Sequence, residues 1–332
     1  MSAAALAALI LAPLAHLPIA PPPAALDAVG ASSGRPRECF PATKGGLRRP
    51  PNVWDRAKSP NLAKYCELVA RAHAQVQLAP DVAKEAALAA DKLLPGKAAP
   101  AVVLARAAAS VGSWDEAAKQ FARALAADPR SLESPTTLRT LARVQVKTKK
   151  IEEALGTYRA LAPRIDLFGS GDERSRVLLE AALVAFAVEG EKGQAPQKRP
   201  DGGVEIPPRI SEALAYLREA RQKQSVLSAA VTLALALALD RAGDRTQADA
   251  MLAEAIRAGA RMDGLLEPLV FDAGDKLALE AMSLESVDRP EAMKKWEAYL
   301  ASPAGKGPFA APAKGRLEAL KRGGGKPKAK AP

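Results

Sequence analysis

Side chains that carry chemistry are scarce in this sequence of 332 residues: it has two histidines and two cysteines, and aromatics make up 4% of it. His16 lies in an apolar leader and His73 in a helical stretch, and neither has a cysteine, a second histidine or paired carboxylates at ligand spacing. A metal centre thereby loses its ligands, and His73 reads as a surface or core residue. No histidine-cysteine couple and no strand-turn-helix serine elbow is present. The triglycine at 323–325 precedes neither a helix nor a lysine-serine pair, so the usual signatures of nucleotide and acyl-transfer enzymes are missing. Only a carboxylate-only hydrolase stays open, because two acids converging from different helices leave no local pattern. The expectation is a protein with no enzymatic activity, no cofactor and no metal.

An uninterrupted apolar run is also lacking. The opening stretch MSAAALAALILAPLAHLPIA is broken by Pro13 and Pro18, whereas a spanning helix needs about 20 continuous apolar residues. A short apolar core followed by small-residue exit positions fits a secretory signal over residues 1–31, against an uncleaved anchor or a cytoplasmic leader. Export to a periplasm or cell envelope is the expected localisation, with the cytoplasm as the alternative. In an exported chain the even cysteine count gains meaning. A bridge between Cys39 and Cys66 would pin an irregular arm, residues 32–60, to the first helix; two unrelated thiols are the other reading.

Net charge is absent where the length is. The net charge of +11 divides into +6 from Arg35 to Lys64 and +5 from Lys321 to Pro332, which leaves the region between them nearly neutral. The basic character belongs to the extensions, and the tail 321–332 has nothing to bury.

What the chain does have is alanine and leucine, in a composition 48% hydrophobic, and both are strong helix formers. In SWDEAAKQFARALAADPRS, Ala117, Phe121 and Ala124 fall on one helical stripe, closed by Pro129. The stripe returns as Ala154, Tyr158 and Leu161; as Ala213, Leu217 and Ala220; as Ala248, Leu252 and Ala255; and as Ala292, Trp296 and Tyr299. Upstream, Ala83, Ala87 and Ala90 carry it too, with Pro95 in the closing place. Another helix precedes each copy. Small residues let the helices of a pair approach, and larger ones meet the next pair.

This pattern resembles the tetratricopeptide repeat, whose helix-turn-helix unit spans 34 residues. In the segment Ala98 to Ser131 the matching residues are Leu104, Ala105, Gly112, Trp114, Ala117, Phe121, Ala124 and Pro129. The resemblance covers residues 61–301. It implies an all-α, right-handed superhelical solenoid of about six antiparallel helix pairs. A polar Pro/Gly insertion occupies 190–209 inside one pair, and a second surplus falls near GLLEPLVFDAGD. A capping helix within 302–320 would cover the open apolar end with Leu317 and Leu320.

The resemblance further implies a concave groove, lined by the first helices, that receives an extended peptide or helix. Counted in that register, the groove residues are Arg106, then Arg139, Arg143 and Lys147 as a basic stripe suited to an acidic segment, then Leu233, Leu237 and Asp240 at an apolar end. An ordinary solvated helical face is the competing reading of the stripe. The family's paired lysine and asparagine that clamp a terminal carboxylate are missing. The implied function is a scaffold that binds a partner protein or peptide. The alternative is an anionic envelope polymer or nucleic acid held by the basic arm, with Trp54, and the tail; nucleic acid is the weaker option, since one tryptophan is little stacking surface.

Overall fold

The computed structural model describes residues 36–40, 49, 52–192, 197–198, 204–223, 225–260 and 273–322. The leader 1–31, most of the arm, the surplus near 264–275 up to Asp272, and the tail beyond Arg322 lie outside the described residues. Within them the chain is a series of antiparallel helix pairs: α2 (Pro60–Gln75) with α3 (Pro80–Leu93), α4 (Ala98–Ser110) with α5 (Trp114–Ala127), and α6 (Pro135–Lys147) with α7 (Ile151–Leu161). Then come α8 (Gly171–Lys192) with α9 (Pro208–Gln222), α10 (Ser228–Arg241) with α11 (Arg245–Arg257), and α12 (Ala273–Leu284) with α13 (Arg289–Ala301). A short helix α1 (Val53–Lys58) precedes them, and α14 (Ala310–Arg322) closes the series against α13.

All six stripes are buried, each on the second helix of its pair. An alanine at the contact brings two backbones close, and the phenylalanine, tyrosine or tryptophan one turn on fills the space toward the neighbouring pair. The closing prolines work locally: Pro129, Pro163 and Pro303 each lie in a 3-10 turn that follows the second helix. Proline cannot supply the N–H that would continue the helix, so the chain turns there.

Three of the pairs share one turn geometry between their helices. Gly112, Lys149 and Gly243 take up positive φ of 77°, 63° and 84° just after α4, α6 and α10. In each case the next residue's N–H reaches back to a carbonyl five residues earlier: Ser113 to Ala108, Lys150 to Gln145, Asp244 to Leu239. This closure satisfies carbonyls that the helix end leaves free, and it needs a left-handed residue, for which glycine has no side-chain penalty.

Three expectations are corrected. The insertion is not wholly irregular: Gln197–Lys198 and Val204–Glu205 form a two-residue antiparallel ladder, which pairs backbone groups at the foot of the loop. The described residues of the arm are not wholly irregular either. Arg37–Cys39 form a 3-10 turn, and α1 is held by a capping box in which Asn52 and Asp55 each accept the other's backbone N–H. Lys321 and Arg322, assigned to the tail, complete α14.

The apolar interior is divided. One cluster runs continuously from Ala142 in α6 to Leu320 in α14. The second pair has its own, centred on Ala105, Phe121 and Leu132, and the first pair holds two more, around Val76 and Ala87 and around Tyr65 and Val69.

Candidate binding face

The first helices of pairs two to four carry the charged residues of interest. In α4 every residue but Arg106, Ala108 and Ser110 is buried, and Arg106 is the helix's only charge. Burial lowers its pKa from the usual guanidinium value. Its Nη1 lies 3.2 Å from His73 Nδ1 across the junction with α2. Burial, followed by the Arg106 charge, holds His73 down at about 4, so near neutral pH the imidazole is uncharged and Nδ1 accepts from the guanidinium. The Nε of Arg106 is buried and has no hydrogen-bond partner.

Thirty-seven residues on, Arg143 repeats the situation on α6: its Nε too is buried and unpartnered. Among the described residues Arg143 makes no ion pair. A further thirty-seven residues lead to Glu180 on α8, and here the sign changes. Glu180 accepts from Arg139 Nε at 3.0 Å and Nη2 at 2.6 Å, and from the Tyr158 hydroxyl at 3.1 Å. Burial, then the Glu180 charge, drive the Tyr158 phenol well above its usual range, with partial offset from Arg139 and Arg143. Arg139 is thus a structural tie between pairs three and four rather than a free end of the stripe.

Of the other expected groove residues, Lys147 is exposed and the two leucines are not. Lys147 sits 6.0 Å over the Trp114 ring, back toward α5. Leu233 and Leu237 are 2% and 0% exposed. The reason is α10 itself, which is buried on all sides from Val231 to Arg241 and so presents no apolar groove wall.

The sequence reading missed the closure of the far end. Arg316 of α14 donates from Nε to Asp240 at 2.6 Å, from Nη1 to Glu285 at 2.9 Å and from Nη2 to Asp249 at 3.0 Å. Glu285 also accepts from Trp296 Nε1 at 2.8 Å. Arg241 pairs with Asp275 and lies between the rings of Phe186 and Phe309, 5.6 and 4.3 Å from their centroids. Nothing local announces these contacts, since Arg316 and Asp240 are seventy-six residues apart.

At the near end Cys39 and Cys66 are disulfide-bonded, with Cα atoms 5.8 Å apart, and Tyr65 donates its hydroxyl to Glu38 at 2.7 Å. Beside the bridge is a cleft of about 320 Å³ with mixed charge, lined by Glu38, Asp55, Arg56, Lys58, Leu62 and Glu67. Trp54 of α1 is 74% exposed. Among the described residues there is no group of three or more His, Cys, Asp or Glu able to hold a metal, and no helix long and apolar enough to cross a membrane.

Six antiparallel pairs with the same buried stripe, three of them with the same left-handed turn, decide the architecture. The fold is an all-α helical solenoid, arranged as the tetratricopeptide resemblance implies. No family model matches the chain, and no curated protein matches it. Solved structures similar to it include Pseudomonas aeruginosa pilF, 15% identical over 80% of this chain and 100% of that one, with a TM-score of 0.46. Another is YrrB, described as a TPR protein with an unusual peptide-binding site: 16% identical, 72% of this chain and 99% of that, TM-score 0.42. A third is TTC0263, a thermophilic TPR protein in Thermus thermophilus, at 22% identity, 68% and 99% coverage and a TM-score of 0.35.

Proposed function

We propose that this solenoid is a non-catalytic scaffold that holds a partner protein or peptide against the face built by α2, α4 and α6, with carboxylates of the partner meeting Arg106 and Arg143. The observation that carries this reading is the pair of half-buried arginines, Arg106 and Arg143, thirty-seven residues apart on successive first helices and in no ion pair among the described residues. A half-buried cation without a counter-ion is costly, and a carboxylate is the acceptor whose geometry suits a guanidinium. The reading includes export to an oxidising compartment, for which the Cys39–Cys66 bridge is the support.

Binding of a short fluorescent peptide rich in glutamate, followed by anisotropy, tests it. Arg106→Met and Arg143→Met should each weaken binding by about tenfold, whereas truncation after Arg322 should leave it within about twofold, since only weak long-range attraction is removed. The exposed Trp54 beside Arg56 and Lys58 favours a second reading, an anionic polymer held by the basic ends. That reading requires the opposite result, loss on truncation and indifference to the two arginines.

A further inference from the structure

At the near end of the array, α1 turns its apolar residues outward. Val53 and Trp54 are 76% and 74% exposed, and Arg56, Ala57 and Lys58 are exposed with them. At about 3.6 residues per turn, Val53, Trp54 and Ala57 share one side of the helix, with Lys58 at one border and Arg56 at the other. Asp55 falls on the opposite side, where it lines the cleft beside the disulfide and accepts two hydrogen bonds from Arg49, of 2.6 and 2.9 Å. The helix is fastened in this attitude. Asn52 and Asp55 cap its start, it packs on α2, and upstream the Cys39–Cys66 bridge and the Tyr65–Glu38 hydrogen bond tie the arm to α2. We propose that α1 is a docking wedge for an anionic lipid surface, with Trp54 and Val53 entering the boundary between headgroups and acyl chains and with Arg56 and Lys58 meeting lipid phosphates. This surface is separate from the scaffold face on α2, α4 and α6.

Charge complementarity selects the occupant. Among the described residues Arg56, Lys58 and Lys64 make no ion pair, and the one acid of α1, Asp55, is already held by Arg49. The segment from Arg35 to Lys64 carries a net charge of +6. Cations close to an anionic leaflet each strengthen binding by about fivefold. An indole, with an apolar body and one N–H donor, is suited to the boundary between water and acyl chains. A soluble polyanion would use the same cations and stack on the indole, yet it offers no apolar volume to Val53. A protein partner would need an apolar pocket flanked by acids at matching places, whereas a lipid surface presents both features everywhere. One indole and one valine are a small apolar area, so docking is reversible and depends on the charge.

The test mixes the full chain with vesicles of phosphatidylglycerol and phosphatidylcholine, or of phosphatidylcholine alone, and follows sedimentation and tryptophan fluorescence. Of the three tryptophans Trp54 stands in solvent, while Trp296 is 1% exposed and Trp114 is half-buried beneath Lys147. Partitioning should be stronger by about tenfold or more on the anionic vesicles. The emission should shift to the blue and be quenched by lipids brominated on the acyl chains, and Trp54→Ala should remove that response. Changing Val53 and Trp54 together to serine should weaken partitioning by about tenfold, and Arg56→Gln or Lys58→Gln by about fivefold each. All four side chains are exposed, and circular dichroism checks that the variants fold; the quenching in the wild type stands as evidence without them. Equal binding to both kinds of vesicle, or binding that survives the double serine change and so belongs to another segment such as the apolar leader, overturns the inference. Binding that needs the cations but leaves Trp54 unquenched also overturns it, in favour of the polymer reading. None of these outcomes touches the scaffold reading, which rests on Arg106 and Arg143.

Discussion

Arg316 and Asp240 meet at 2.6 Å although one lies in the middle of α14 and the other near the end of α10. Their side chains are 3% and 10% exposed. Glu285 and Asp249 complete the ring around the same guanidinium, so three acids from pairs five and six converge on one cation from the cap. Arg316→Met should cost about 3–5 kcal/mol, because it leaves the buried Asp240 carboxylate without its counter-ion. Urea unfolding measures this, and a loss under about 1 kcal/mol would show that the acids find other partners.

Lys149 does a glycine's work. It holds φ at 63° where Gly112 and Gly243 hold 77° and 84°. Lys149→Gly removes the steric penalty of a side chain in the left-handed region, at the expense of some unfolded-chain entropy. The expected net gain is about 0.5–1 kcal/mol, seen as a raised thermal midpoint.

His73 should give the protein an acid-sensitive limb. Its folded pKa of about 4 lies below the ordinary 6.5. Between those values the unfolded chain binds the proton and the folded chain does not, so stability rises with pH across the window and falls as the pH drops through it. The full shift corresponds to about 3 kcal/mol. Unfolding measured from pH 7 to pH 4 in the wild type and in His73→Gln should show a shallower acid loss in the variant.

Reduction should loosen the front of the array. The Cys39–Cys66 bridge closes a separation of 27 residues, and on chain-entropy grounds such a loop is worth about 3 kcal/mol. Cys39→Ser or added dithiothreitol should lower the denaturation midpoint and speed proteolysis of the segment before α2. Equal midpoints with and without reductant would contradict this.

Ala154→Leu tests the stripe. Ala154 is fully buried where α7 meets its neighbours. Inserting a larger side chain should cost about 1–3 kcal/mol by overpacking, and calorimetry would detect it.

The repeat was legible because every copy obeys the same local rule. Alanine at Ala117 or Ala154 and an aromatic at Phe121 or Tyr158 follow from helix-on-helix contact, which depends on spacing along a few residues. The cap was legible for the same reason, as Leu317 and Leu320 are in fact buried. The candidate face was only half legible. Arg139 and Arg143 look alike one turn apart, and only the position of Glu180 on the next pair consumes the first and spares the second. Leu233 and Leu237 matched groove places in register, but α10 is apolar all round and lies inside the stack, a burial that depends on its neighbours on every side. The Arg316 ring had no sequence signature, since its members belong to four separate elements.

The division of the apolar interior gives the two ends of the protein different mechanical characters. From α6 onward one unbroken cluster reaches the final helix, and the Arg316 ring adds a polar bolt across its last two pairs. The first two pairs rest instead on smaller separate clusters. Arg106 stands on one side of the seam between these blocks and Arg143 at its edge. A guest segment gripping both would splint the supple front to the stiff rear, so occupancy itself would be felt as slower breathing of α2 to α5.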